Sequence, residues 1–263
     1  WRWEYGRSYA RQMPWAADRA EALTKLAVMS PVGTPAEWKL QVLDEALAAA
    51  REIDYPHTRA KALAALAPHL ADEQKRQVLD EALAAAQEID RSYFRAEALA
   101  ALAPHLADEQ KQQALAAARE IDDPDARAEA LAALAPHLAD EQKQQVLDEA
   151  LAAAREIDIT DTRAEALAAL APHLADEQKQ QVLDEALAAA QEIDHSYARA
   201  EALAALAPHV VTYPLWRDTL QASASRTLPE LLGDLKALVP ASVALGGQGA
   251  VDDIARAILD LTR

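Results

Sequence analysis

The stretch RAEALAALAPHLADEQKQQ runs from Arg95 to Gln113, from Arg127 to Gln145 and again from Arg163 to Gln181, without a single change. A catalytic centre needs one arrangement in one place, so a segment repeated verbatim builds rather than acts. Its leading Arg marks the start of each copy, at Arg19, Arg59, Arg95, Arg127, Arg163 and Arg199, at intervals of 40, 36, 32, 36 and 36 residues. A fixed period of this length is the signature of stacked supersecondary units. The 32-residue copy has lost VLDE, so that Gln112-Gln113 runs straight into Ala114-Leu115. Four residues are about one helical turn, and their loss rotates the remainder of the helix by only about 40°. A helix keeps its apolar face after such a deletion, whereas a strand would lose most of its length.

Each copy reads as two helices. The first carries Leu99, Leu102 and Leu106 on one face, and the second carries Leu79, Ala82, Leu83, Ala86 and Ile89. Both sets follow a 3.6-residue period in a background of strong helix formers. Pro104-His105-Leu106 and its equivalents separate the two helices, because Pro lacks an N–H and ends the helix before it. Pro56, Ser92, Pro124, Thr160 and Ser196 hold one register position. What these residue types share is acceptance at a helix N-terminus. Acids such as Asp72 and Glu73 open the second helix, where the dipole favours them. In the first copy Thr34 and Glu37 have capping-box spacing.

These patterns predict an all-α, right-handed α-solenoid of antiparallel helix pairs. An aromatic-rich cap spans 1–18, the array spans 19–209 and a helical cap spans 210–263. Alanine-rich faces allow close approach, giving a rod or gentle superhelix on the order of 50 Å long. No pair buries its face alone. Trp1, Trp3, Tyr5 and Trp15 are expected to cover the first pair, and Leu215, Trp216 and Leu220 to replace the usual last second helix. Thr227-Leu228-Pro229-Glu230 predicts a second capping box, opening a helix through Leu238. The stretch Gly246-Gly247-Gln248-Gly249 predicts a turn, followed by a helix from about Val251 to Leu261 with Val251, Ile254, Ile258 and Leu261 on one face.

Cysteine is absent, which removes disulfides, thiolate metal sites and cysteine nucleophiles. No apolar run approaches a membrane span of about 20 residues. The net charge of −17 opposes a phosphate-backbone partner. The chain is expected to be cytoplasmic, without nucleic-acid or membrane partners. It opens on WRWEYGRSYAR, which reads as part of a longer protein.

The words RAEALAALAPHL and ALAAAREID, with the tail LPELLGDLKALVPASVALGGQGAVDDIARAILDLTR, carry a resemblance. Paired helices at this period resemble tetratricopeptide or HEAT-type solenoids. The Ala/Leu-rich wording resembles the arrays trailing bacterial STAND (NACHT-type) multidomain ATPases. The resemblance implies a sensor or interaction arm whose effector lies elsewhere, and it carries over no catalytic residue.

Candidate chemistry is sparse. His69, His105, His137, His173 and His209 recur once per copy, too far apart to share a metal ion. Carboxylate pairs such as Asp80 with Glu81, or Glu88 with Asp90, recur likewise, whereas a hydrolytic pair needs one cleft. Arg95 is expected to brace the preceding helix through Glu88 or Asp90. GGQG lacks the Lys and the strand of a phosphate loop. Ser223 and Ser225 lack a nucleophile elbow. No enzyme, cofactor or metal is therefore expected.

The copies differ chiefly in the four residues before each Arg. Candidate binding residues there are Tyr55, His57, Arg91, Tyr93, Phe94, Asp123, Asp125, Asp161, His195 and Tyr197. Either constraint is relaxed in exposed loops, or a binding edge has diversified. The aromatics favour the second, since Tyr and Phe serve as anchors at interfaces. The sequence thus predicts a non-enzymatic protein- or peptide-binding scaffold. The alternative is a spacer or self-association module without a ligand.

Overall fold

A computed structural model describes residues 2–209, 223 and 226–261. Trp1, Leu215, Trp216, Leu220 and Ser225 lie outside the described residues, as do the side chains of Ile258 and Leu261. Every regular element among the described residues is helical. The chain divides into two compact units, Trp1–Lys143 and Gln144–Arg263. The N-terminal unit holds α1 (Arg2–Arg11), α2 (Ala16–Val28), α3 (Ala36–Arg51), α4 (Pro56–Leu66), α5 (Asp72–Gln87), α6 (Ser92–Leu102), α7 (Asp108–Arg119) and α8 (Pro124–Leu134). Helix α9 (Asp140–Arg155) runs across the division. The C-terminal unit adds α10 (Thr160–Leu170), α11 (Asp176–Glu192), α12 (Ser196–Leu206), α13 (Leu228–Ala237) and α14 (Val239–Leu261). Within each unit every helix packs on the next. First helices also pack on first helices, as α2 on α4, α4 on α6 and α6 on α8 in one unit, and α10 on α12 in the other.

Local chemistry sets the boundaries. Pro56, Ser92, Pro124, Thr160 and Ser196 are each the first residue of a first helix. Each of these helices ends in a 3₁₀ turn of Ala-Pro-His, from Ala67–His69 through Ala207–His209, as the missing Pro N–H requires. Leu106 follows such a turn in extended conformation rather than continuing α6, yet stays buried. Helix α7 has 12 residues where α5 and α9 have 16, which is the loss of VLDE. Its buried face survives in Ala114, Leu115, Ala117 and Ala118. The core in each unit is the Leu and Ala of both helix types, with Leu99 and Leu102 fully buried in one and Leu167 and Leu203 buried in the other.

Two local expectations are corrected. Thr34 does not cap α3. Its hydroxyl donates to the Pro31 carbonyl (2.9 Å), and Pro35 takes the cap position. Tyr5 and Trp15 do not cover the first pair but stand 76% and 72% exposed. The packed face of α1 is instead Arg7 and Ala10, with Gly6 facing Leu26 so closely that a Cβ would lie 3.1 Å from its Cδ1. In the tail a helix not expected from the sequence starts at Val239, and Gly247 breaks it at φ 66° within the expected GGQG turn, beyond which helix resumes to Leu261. Only glycine adopts that conformation freely. The Thr227 box does form, with the Thr227 N–H and hydroxyl both donating to Glu230 Oε2 (3.1 and 2.6 Å).

Polar bonds between layers repeat with the copies. Arg51, at the end of one second helix, donates to both oxygens of Glu81 in the next (2.8 and 2.7 Å). Arg155 treats Glu185 likewise (2.8 and 3.0 Å). That Glu belongs to VLDE. The short copy has none, and the residue that would face it is Gln87 rather than Arg. Gln191 also replaces Arg, and no VLDE comes after it. Its carbonyl accepts from Arg226 instead. Glu45, in the first copy, has no preceding second helix, and Arg7 and Arg11 of α1 supply its cations. Helix α1 therefore stands in for a missing layer. Gln74, Gln110 and Gln178 donate to Asp44, Asp80 and Asp148 of the preceding VLDE. Where that Asp is deleted, Gln142 pairs with Gln112 instead (2.9 and 3.1 Å).

Candidate functional site

The Arg that opens each copy has a structural task. Its guanidinium donates to a carbonyl six residues back: Arg59 to Ile53, Arg127 to Ile121, Arg163 to Ile157 and Arg199 to Ile193, at 2.8 to 3.0 Å. These carbonyls lie just past the end of the preceding second helix, where cations are favoured. Arg95 does the same through Nε to Ile89 (2.9 Å), not through Glu88 or Asp90. The brace is real but its carboxylate partner lies forward, since Arg19 pairs with Glu52, Arg59 with Glu88 and Arg163 with Glu192. A guanidinium pinned by the backbone behind it directs its remaining N–H groups ahead, across to the next second helix.

Four residues before that Arg stands the N-cap of each first helix. The caps are Trp15, Tyr55, Arg91 and Asp123 in the N-terminal unit, and Ile159 and His195 in the other. All have extended φ/ψ, which aims the side chain off the helix end. Only the Asp123 carboxylate caps, accepting from Ala126 N–H (3.0 Å). Trp, Tyr, Arg, Ile and His are poor cap residues. Their presence is not explained by helix initiation, and Tyr55 and Ile159 are 77% and 64% exposed. Two residues on, Tyr93 and Tyr197 are also exposed, whereas Asp125 and Asp161 are half-buried. The Asp161 carboxylate accepts from the Thr162 N–H (2.9 Å).

The structure brings several candidates together between α4 and α6. Phe94 packs on the His57 imidazole, with ring centroids 4.5 Å apart, and Tyr93 meets Phe94 edge-on at 5.6 Å. The Arg91 guanidinium lies 5.8 Å over the Phe94 ring. His57 Nε2 is 2.8 Å from Glu97 Oε2, and Lys61 donates to Glu97 Oε1 (2.6 Å). Lys61 first, then His57, hold the Glu97 carboxyl below its ordinary range. His57 and Phe94 are thus used in packing, while Tyr55, Arg91 and Tyr93 remain presented to solvent.

On α8 the electrostatics reverse. Asp125 and Glu129 have no cation within ion-pair distance among the described residues. Partial desolvation and then Asp123 raise the Asp125 carboxyl, and partial desolvation, Asp125 and Glu97 raise that of Glu129. In the C-terminal unit the Tyr197 hydroxyl is raised by its bond to Glu201. Tyr197 and Glu201 line an open groove of about 600 Å³ between α12 and α13, together with Ala200, Ala204, Gly233 and Ala237.

The histidines occupy their 3₁₀ turns as a ladder. Burial and then the charges of Lys75, His137 and His69 lower the His105 imidazole. No cluster of three or more His, Asp or Glu side chains among the described residues is arranged to hold a metal. No helix among them is long and apolar enough to cross a membrane.

Sequence reasoning missed three residues here. Trp15 shares the cap register of Tyr55, a fact visible by counting four back from Arg19. Lys61 turns RAEAL into RAKAL, the one such change, and that change neutralises Glu97. Asp234, buried against Arg199, left no signal in its own neighbourhood. No family model matches this chain, and a search of curated proteins finds no match either.

Proposed function

We propose that this chain is a non-enzymatic scaffold that binds a protein or peptide at the N-terminal ends of its first helices. One observation carries the reading: the positions where the copies differ are the exposed caps and first turns of these helices, and they hold Trp15, Tyr55, Tyr93, Ile159 and Tyr197. Solvent-facing aromatics on a rigid helical frame are the anchors that interfaces use. The resemblance to Ala/Leu-rich arrays of STAND-type ATPases supports the finer reading of a sensor or interaction arm in a larger bacterial signalling or defence protein. In that reading the helix pairs wind as a right-handed tetratricopeptide- or HEAT-like solenoid in the cytoplasm. Pull-down of partner with Tyr55→Ala, Tyr93→Ala and Tyr197→Ala combined tests the edge. Loss of capture is expected, and unchanged capture overturns the proposal.

A second reading, self-association, draws on α1. Tyr5 and Tyr9 lie one turn apart and are 76% and 62% exposed, a stripe facing away from the packed side. Light scattering of Tyr5→Ser/Tyr9→Ser against the unaltered chain decides it, since an assembly built on this stripe falls to monomer.

A further inference from the structure

The α2–α4 interface is the counterpart, by register, of the α4–α6 interface, which two rings fill. In the α4–α6 interface Phe94 stacks on His57 at 4.5 Å. The residues two and one before the Arg at the matching places are Ala17 on α2 and Thr58 on α4. An imidazole and a phenyl ring are replaced by a methyl and a small hydroxyl side chain. The helices do not close the gap. An open groove of about 370 Å³ remains, lined by Ala17, Ala20, Thr58, Ala62 and Ala65. The packing on either side is otherwise the same, since Leu23 and Leu63 are as buried as Leu99. Trp15 and Tyr55, the caps of these two helices, present exposed aromatic surface beside this interface.

The chain itself therefore displays what such a gap accepts, an aromatic ring lying between alanine-lined helices. Charge selects the rest of the occupant. Glu21 and Lys25 at the groove neutralise each other. Two first helices further on, the half-buried Asp125 and the exposed Glu129 have no ion-pair partner among the described residues, in a chain of net charge −17. We propose that the α2–α4 groove receives an aromatic side chain of a partner peptide whose Lys or Arg residues reach Asp125 and Glu129. This rests on the scaffold reading above and gives that partner its chemistry. First helices stacked at roughly 8–10 Å place the groove about 20–25 Å from α8. An extended chain covers that distance in about six to eight residues.

The probe is a fluorescein-labelled synthetic peptide with one Phe, a Gly/Ser spacer of about six residues and two Lys, its binding to the full chain read by anisotropy. Replacing its Phe with Ala, or its Lys pair with Glu, is expected to weaken binding at least tenfold. In the protein, Ala17→His with Thr58→Phe rebuilds the plug seen between α4 and α6. This pair keeps the helical melting curve, loses binding to the Phe probe, and no longer distinguishes Phe from Ala in the peptide. Ala62→Leu fills the groove from the α4 wall alone and is expected to act alike. If the plugged protein binds the probe unchanged while Tyr55→Ala and Tyr93→Ala lose it, the groove assignment fails and the edge reading stands. If no protein binds the probe, the aromatic and basic chemistry assigned to the partner is wrong, and partner capture still tests the edge separately.

Discussion

Arg199 lies against Asp234 with Nε 3.1 Å from Oδ1, and both side chains are 1% exposed. Elsewhere the equivalent Arg meets an exposed Glu at the rim, as Arg59 meets Glu88 at 58% exposure. At Arg199 the array ends, and α13 supplies a buried carboxylate in place of a surface one. Ser223 donates to the same Asp234 (2.9 Å), and Glu230 lies 3.8 Å from the guanidinium. Buried pairs and exposed pairs behave differently when broken. Asp234→Ala leaves a buried cation without its partner and is expected to cost about 3–5 kcal/mol. Glu88→Ala is expected to cost under about 1 kcal/mol. Arg199→Met with Asp234→Leu recovers most of the larger loss, because no charge is then stranded. Urea titrations followed by circular dichroism measure all three. An Asp234→Ala chain as stable as the parent contradicts the assignment.

Glu45 predicts an acid limb. Arg11 first, and Arg7 after it, lower its carboxyl to about 2 from 4.5. A carboxylate depressed in the folded state stabilises the fold above its unfolded pKa and loses that contribution as pH falls towards the folded value. The loss therefore spans pH 4.5 down to about 2. Glu45→Gln is expected to cost roughly 1.5–3 kcal/mol at neutral pH and to flatten the pH dependence in that window. Melting temperatures of the two chains across that range test it, and parallel curves count against the clamp.

Leu102 tests the core. It is fully buried on α6. Leu102→Asp places an unpaired carboxyl there and is expected to destabilise by several kcal/mol, about 4 or more. An unchanged thermal melt rejects the placement of that face.

Gln87 and the missing VLDE should be energetically coupled. In the native chain Gln87→Arg gains no Glu partner in the next layer and is expected to be neutral. Inserting Val-Leu-Asp-Glu between Gln113 and Ala114 restores that Glu. In that background the same Gln87→Arg is expected to add about 0.2–1 kcal/mol. A double-mutant cycle isolates the coupling. A zero coupling energy means that the Arg and Gln choices are unrelated to the deletion.

Much of this fold was legible because repetition multiplies weak signals. One Ser at position 92 says little, but Pro, Ser, Pro, Thr and Ser at one register locate a helix start, and all five helices begin there. The four-residue deletion announced a helix in the same way. Side-chain partnerships were less legible. Arg95 has acids close by in sequence, yet the braces reach forward across the stack, a geometry set by packing rather than by spacing. The aromatic start misled for a related reason. Helix α1 must offer cations to Glu45, so Arg7 takes the inner face and Tyr5 is turned outward. Of the candidate edge, the variable positions were legible and their exposure was not. Phe94 and Tyr93 are adjacent in the chain, but one fills a gap and the other faces water, which depends on the neighbouring His57. Asp234 was invisible because its burial depends on Arg199, 35 residues earlier.

The Arg or Gln that closes each second helix acts as punctuation. Arg51 and Arg155 are followed by a layer that carries the answering Glu, whereas Gln87 and Gln191 are followed by layers that do not. A copy ending in Arg is written to be continued, and one ending in Gln is written for a gap or a stop. Lengthening this protein by copying a block that ends in Arg155 leaves every junction matched. Adding the same block after Gln191 strands a Glu, so growth by duplication is freer in the interior of the array than at its end.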